Sequence, residues 1–169
     1  SGCIPISLAK NLPAATISAV DISVDALKIA TKNATLNKVK VKFIEGNILD
    51  IYAFNQILKQ DLYNQVKFDI IVSNPPYVRE LEKTEIQNNV LLNEPHLALF
   101  VSNENPLIFY DKIADLAKQH LSKNGLLFFE INQHLGEETI KILAEKGFKN
   151  IKLRKDLFGN DRMIKATIF

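Results

Sequence analysis

The order of the apolar segments constrains this chain most, because short runs typical of strands alternate with stretches of helical periodicity. Apolar or alternating runs rich in β-branched residues predict strands over 15–20, 39–46, 68–73 and 126–131. In two of the stretches between them, apolar residues recur every three or four positions, as on one face of a helix. This alternation predicts an α/β sandwich with a mostly parallel sheet.

Residues that favour helix boundaries support the alternation. Ser23 suits the N-cap of a helix over 24–37. Pro106 suits the first turn of a second helix, which we expect Asn124-Gly125 to close.

The last part of the chain continues the pattern. A helical stripe over 136–148 places Gly147 where a C-cap glycine is favoured. Segments 149–156 and 163–169 then predict two strands, arranged as an antiparallel pair.

Composition narrows the classes of function. The 169 residues suffice for one domain with a core, and the net charge of +2 argues against direct nucleic-acid binding. No apolar stretch reaches the roughly 20 residues of a membrane span, and no signal peptide opens the chain. The lone Cys3 and three scattered histidines argue against disulfides and metal sites. We therefore expect a cytoplasmic protein without membrane contact.

Polar residues follow three of the predicted strands, at Asp21, Gly46-Asn47 and Ser73-Asn74. In parallel α/β sheets, ligands bind beyond the carboxyl ends of the strands. Each residue alone is equally well explained as an ordinary turn residue. Their corresponding positions, together with the motif described below, favour a binding site.

Two of the early residues fit a nucleotide-like ligand. Gly2 precedes a predicted helix start, where a glycine lets a ligand approach the backbone. Asp21 lies 19 positions later (21 − 2), close to the spacing of about 20 expected for a carboxylate that binds ribose hydroxyls. This pair alone is a weak signal and would also suit a nicotinamide enzyme.

The residues Asn74-Pro75-Pro76-Tyr77, called the corner below, favour chemistry on a planar NH2 group. The Asn74 side-chain oxygen and the Pro75 carbonyl oxygen can each accept a hydrogen bond from one N–H of this NH2 group, which orients its nitrogen. The prolines fix the backbone that carries these oxygens. Tyr77 can stack on a flat amide or base. The structural alternative is a Pro-Pro turn that ends a strand.

With these motifs the chain resembles S-adenosylmethionine-dependent methyltransferases of the Rossmann-like class I fold. Within them it is most similar to the protein-(glutamine-N5) methyltransferases of the HemK/PrmC type, which methylate the glutamine of Gly-Gly-Gln in class I peptide-chain release factors. The resemblance runs along the whole chain and includes the segments 73–80, 93–99, 125–138 and 155–166. Two of these segments, 155–166 and the one that contains Glu94-Pro95 (93–99), are more particular to the release-factor enzymes. The corner is less particular, because DNA and RNA amino-methyltransferases share it.

The resemblance implies a site for S-adenosylmethionine and a site for the substrate glutamine. The implied cofactor residues are Gly2, Asp21, Asn47, Ile48 and Asn74.

The implied substrate residues are Asn74, Pro75, Pro76, Tyr77 and Glu94, of which Asn74, Pro75 and Tyr77 carry the catalysis. Glu94 belongs to a long connection, residues 78–105, that we expect to fold over the substrate.

The chain departs from the family pattern in three places. Asn47 stands where the family often has Asp, and residues 101–106 lack the usual glycines. The family's first strand, most of its glycine-rich loop and its N-terminal helical domain would all lie upstream of Ser1. We therefore expect residues 1–169 to be a truncated C-terminal catalytic domain that lacks its first strand, binds the cofactor weakly and self-associates through exposed strand edges.

Two other functions stay open at this point. One is a DNA or rRNA amino-methyltransferase acting on adenine N6 or guanine N2, and the other is a non-catalytic fragment of the fold. Glu130, at the end of a predicted strand, suits either a catalytic role or a role in holding the corner.

Overall fold

Strands and helices alternate in the computed structural model, which describes residues 1–61, 67–85 and 88–168. The chain divides into two units, Ser1–Gln65 and Val66–Phe169. Among the described residues, none of the helices combines the length and the apolar character that crossing a bilayer requires.

The first unit has the order α1, β1, α2, β2, α3. The bounds are Cys3–Asn11, Ser18–Asp21, Val24–Leu36, Lys42–Glu45 and Ile51–Asp61. Strands β1 and β2 are parallel, with a register that runs from Ser18 opposite Lys42 to Asp21 opposite Glu45. The core of the unit is apolar and draws on all the helices and on β2; it contains Ile6, Ala30, Ala34, Ile44, Phe54 and Leu58.

Local turns explain where these elements begin and end. The Ser23 hydroxyl accepts a hydrogen bond from the N–H of Ala26 at 3.2 Å, so the predicted N-cap is confirmed. Strand β1 starts three residues later than predicted, because Ala15 N–H donates to Leu12 O in a turn that uses the preceding residues. Helix α3 was not predicted from the sequence.

The second unit contains a four-stranded sheet with the strand order β3-β6-β8-β7. The pair β3 (Phe68–Ser73) and β6 (Leu121–Glu130) is parallel. Strand β8 (Asp161–Thr167) is antiparallel to β6 and to β7 (Lys149–Lys155), so the predicted antiparallel pair is confirmed. Three of the five pairings between described strands are parallel.

The connection between β3 and the next long helix is structured. It contains β4 (Val78–Arg79), a 3-10 helix (Glu80–Glu85), α4 (Asn88–Asn93), α5 (His96–Leu99) and β5 (Phe100–Val101). Strands β4 and β5 form a short parallel pair.

Helices α6 (Ile108–His120) and α7 (Gly136–Glu145) complete the unit. After α7, Gly147 has φ +91° and its N–H donates to Ala144 O, as predicted for a C-cap glycine.

The predicted end of α6 at Asn124-Gly125 is wrong. The helix ends at His120, and both residues lie within β6. A Cβ at Gly125 would lie 3.0 Å from the carbonyl oxygen of Phe68, where the β3–β6 register shifts. This glycine therefore permits the close approach of two strands and does not stop a helix.

Strands β1 and β3 each have a single neighbour among the described strands of their own unit. Within the described residues, β1 pairs only with β2, and β3 pairs only with β6. The side chains of Val20, Ile70 and Val72 on these strands are 40%, 48% and 40% exposed. Both strands thus present an unpaired edge together with exposed apolar side chains.

Candidate active site

The corner follows β3 directly and lines a cavity of about 360 Å³ in the second unit. Pro75 is buried, Tyr77 is half-buried and the Asn74 side chain is exposed. The cavity is lined by Asn74, Pro75 and Tyr77 from the corner and by Val90, Glu94 and Ala98 from the connection. Four of the five predicted substrate residues therefore line one cavity.

The connection forms part of the wall of this cavity. Val78 pairs with Phe100, so the two ends of the connection lie side by side while α4 and α5 line the cavity between them. Pro76, the fifth predicted substrate residue, is half-buried between Pro75 and Tyr77. The roles predicted for these residues stay predictions.

The Tyr77 hydroxyl is anchored on the sheet. It donates a hydrogen bond to Glu130 Oε1 at 3.0 Å and accepts one from Arg162 Nη1 at 3.5 Å. Burial and then the Glu130 carboxylate raise the pKa of Tyr77 to about 12, against the opposing effect of Arg162. Tyr77 is thus a neutral phenol near neutral pH, and Glu130 makes the contact with the corner that a holding role requires.

Arg162 extends this anchor to the turn between β7 and β8. Its Nε and Nη2 both lie 3.4 Å from Asp156 Oδ2. The other oxygen of Asp156 accepts the N–H groups of Phe158 and Asn160 at 2.9 and 3.0 Å. The hydrogen bond from the Asn160 N–H is the main cause of a lowered pKa of Asp156. This carboxylate therefore stays ionised and holds the Arg162 guanidinium.

A second anchor, which no sequence pattern predicted, consists of Asn132 and Glu82. Both are buried, 4% and 5% exposed. Asn132 Nδ2 donates to Tyr77 O at 2.9 Å and to Glu82 Oε2 at 2.8 Å. A signal for Asn132 exists in the sequence, because it follows an apolar run that predicts a strand, just as Asn74 does. The partner of that amide, 50 positions away, has no local signal.

In the first unit, Asp21 and Asn47 lie together at the carboxyl ends of β1 and β2. The N–H of Gly46 donates to Asp21 O at 3.1 Å, which ties the two strand ends together. Both side chains are exposed, and each accepts a bond from a nearby backbone N–H, that of Ser23 at 2.9 Å and that of Leu49 at 3.0 Å. Asp21 and Asn47 are therefore placed together by the fold.

The remaining predicted cofactor residues have different surroundings. Ile48 is half-buried and follows Asn47 directly. Gly2 has φ +77°, and a Cβ there would lie 2.9 Å from the Cβ of Ala30. This contact and the backbone angle require glycine independently of any ligand. Asn74, the last of the set, belongs to the second unit.

Metal ligands are not grouped in the described part of the chain. Among those residues, no three His, Cys, Asp or Glu side chains are placed to hold an ion together.

Comparison with known proteins identifies the family. Residues 1–99, more than half of the chain, match the methyltransferase small domain. The chain belongs to this family.

A relative within the methyltransferases is closely similar in sequence. A release factor glutamine methyltransferase from Flavobacterium psychrophilum is 58% identical over 167 residues, which cover 99% of this chain and 55% of the relative. The resemblance to the glutamine methyltransferases is thereby confirmed. The chain spans about half the length of the curated relatives it matches.

Solved structures show the same fold. A methyltransferase from Pyrococcus furiosus superposes with a TM-score of 0.63 at 15% identity, over 96% of this chain and 67% of that one. A release-factor-specific protein-(glutamine-N5) methyltransferase from Alicyclobacillus acidocaldarius gives a TM-score of 0.51 at 21% identity, over 98% and 88%. The fold is that of class I S-adenosylmethionine-dependent methyltransferases, and the predicted fold class is confirmed.

Proposed function

We propose that the protein transfers a methyl group from S-adenosylmethionine to the side-chain nitrogen of a glutamine, that of the Gly-Gly-Gln motif in class I release factors. The observation that carries this proposal is the cavity in which the corner meets Glu94. The 58% identity to a release factor glutamine methyltransferase supports the choice of substrate.

The corner residues would orient the carboxamide. Asn74 Oδ1 and the Pro75 carbonyl oxygen would each accept a hydrogen bond from one N–H of the carboxamide, and Tyr77 would pack on its flat face. The nitrogen forms a bond to the methyl carbon while the bond from that carbon to sulfur breaks. S-adenosylhomocysteine would be the leaving group, and the proton, made acidic by methylation of the nitrogen, would then pass to water. Orientation of this kind can lower the barrier by several kcal/mol, on the order of 7–11 at best.

The first unit would hold the cofactor, which supplies an electrophilic methyl group when bound. The exposed Asp21 carboxylate at the sheet edge has the acceptors that a ribose diol requires. Asn47 and Ile48 would flank the adenine, and Gly2 would lie beside the methionine moiety. Asn74 would contact both cofactor and substrate.

Methyl transfer to a purified release factor tests this function. Full-length protein is incubated with methyl-labelled S-adenosylmethionine and either the wild-type factor or its Gln→Ala variant in Gly-Gly-Gln. We expect label in the wild-type factor alone. Equal label in both factors, or label only in an added DNA or rRNA substrate, contradicts the proposal.

We further propose that the chain of residues 1–169 self-associates through the edges of β1 and β3. The support is the exposed Val20, Ile70 and Val72 beside these edges. Sedimentation should show a concentration-dependent increase in mass, whereas a strictly monomeric profile at high concentration contradicts this. We assign the activity to the cytoplasm on the sequence features given above.

A further inference from the structure

We propose that Asn132 is a positioning residue for this methyl transfer, acting with Glu82 to hold the corner in one orientation. This inference rests on the proposed function. Asn132 is buried, so it acts through Tyr77 rather than through contact with the substrate.

The Asn132 side chain uses its hydrogen-bonding groups on three separate segments. One N–H binds the carbonyl of Tyr77, and the other binds Glu82 Oε2. Its Oδ1 accepts the N–H of His134 at 2.8 Å, which fixes the amide orientation. A side chain satisfied in this way has one preferred rotamer, and the Tyr77 carbonyl is therefore held at a fixed place.

Glu82 extends the hold to the start of the connection. Its Oε2 also accepts the N–H of Arg79 at 2.8 Å, and its Oε1 accepts Arg79 Nη2 at 2.7 Å. Asn132 thus joins the last residue of the corner to β4 and the 3-10 helix. Further along the connection, Glu94 follows the end of α4.

A buried carboxylate and amide are an expensive way to stabilise a fold, because both lose hydration when buried. Their advantage is directional, since a satisfied polar network favours one geometry over neighbouring ones. The two oxygens that would grip the substrate lie two and three residues before Tyr77. A small rotation of the corner would misdirect both of them.

The test compares Asn132→Asp with the matched variant Asn124→Asp, which makes the same change at an exposed position of β6. Asn132→Asp removes both donors and places a carboxylate against Glu82. We expect kcat to fall 10-fold or more with KM for S-adenosylmethionine unchanged. We also expect kcat to recover partly as the pH is lowered, because a protonated carboxyl can again donate to Glu82. Asn124→Asp should show neither effect.

A second variant, Glu82→Gln, keeps the shape and removes one acceptor, and we expect at least a 5-fold loss of kcat. The inference is overturned if the folded variants keep kcat within twofold of wild type. It is also overturned if neither variant folds, since the pair would then be a requirement of the fold. Wild-type protein without activity on the release factor would instead refute the proposed function.

Discussion

The two regions that carry the predicted site residues are held by different kinds of contact. At the carboxyl ends of β1 and β2, Asp21 and Asn47 are exposed and accept hydrogen bonds from backbone N–H groups only two positions away. At the corner, Tyr77 is bound by Glu130, Asn132 and Arg162, which lie 53, 55 and 85 positions away.

The difference separates two ways of placing a functional group. A side chain held by its own turn can be replaced without disturbing the rest of the unit. A residue held by distant partners on several segments depends on the whole second unit. We therefore expect changes in the first region to affect ligand affinity, and changes to the partners that hold the corner to affect catalysis and stability together.

The largest expected effect is that of Asn74→Ala on methyl transfer. The substitution removes one of the two oxygens that orient the carboxamide, and we expect kcat to fall about 100-fold or more. Because the Asn74 side chain is exposed, the midpoint of thermal unfolding should stay unchanged. A folded variant with near wild-type kcat would remove the corner from the mechanism.

The next effect concerns stability of the second unit in Glu82→Ala. The substitution leaves Asn132 Nδ2 and the Arg79 backbone N–H without their buried acceptor. We expect the free energy of unfolding to fall by about 2–3 kcal/mol, measured by urea denaturation. Glu80→Ala, at an exposed neighbouring position, serves as the control. A loss below 1 kcal/mol would show that the second anchor contributes little.

A third effect is the pH dependence that Glu82 introduces. Burial opposes ionisation of Glu82, but hydrogen bonds from Arg79 and Asn132 outweigh it and lower the pKa of this carboxyl. A lowered pKa in the folded state adds stability that is complete above the ordinary glutamate pKa of about 4.3. That stability is lost as the pH falls through the lower folded value. Urea denaturation at a series of pH values should therefore show a smaller acid loss in Glu82→Gln than in wild type.

The smallest effect on stability is expected for Asp21→Ala. Its one hydrogen bond, to the N–H of Ser23, is local and exposed, so we expect a loss below about 1 kcal/mol. Affinity for S-adenosylmethionine should fall at the same time, which calorimetry on the full-length protein can measure. Unchanged affinity would mean that Asp21 is only a turn residue.

Local signals were sufficient to predict much of the fold and the candidate residues of the site. The apolar run over 68–73 and the N-cap at Ser23 depend on neighbours in sequence, and both are found as predicted. Gly125 was wrongly predicted to close a helix, because the contact that requires a glycine there is with the carbonyl of Phe68, 57 positions earlier (125 − 68). The anchors of Tyr77 were not predictable either, because each of them joins segments that are distant in sequence and meet only in the folded chain.

A crystal structure of the full-length protein with a Gly-Gly-Gln peptide and S-adenosylhomocysteine tests the central claim most directly. We predict that the glutamine carboxamide nitrogen lies about 3 Å from both Asn74 Oδ1 and the Pro75 carbonyl oxygen. A carboxamide bound elsewhere, or an Asn74 side chain turned away from it, would contradict the account.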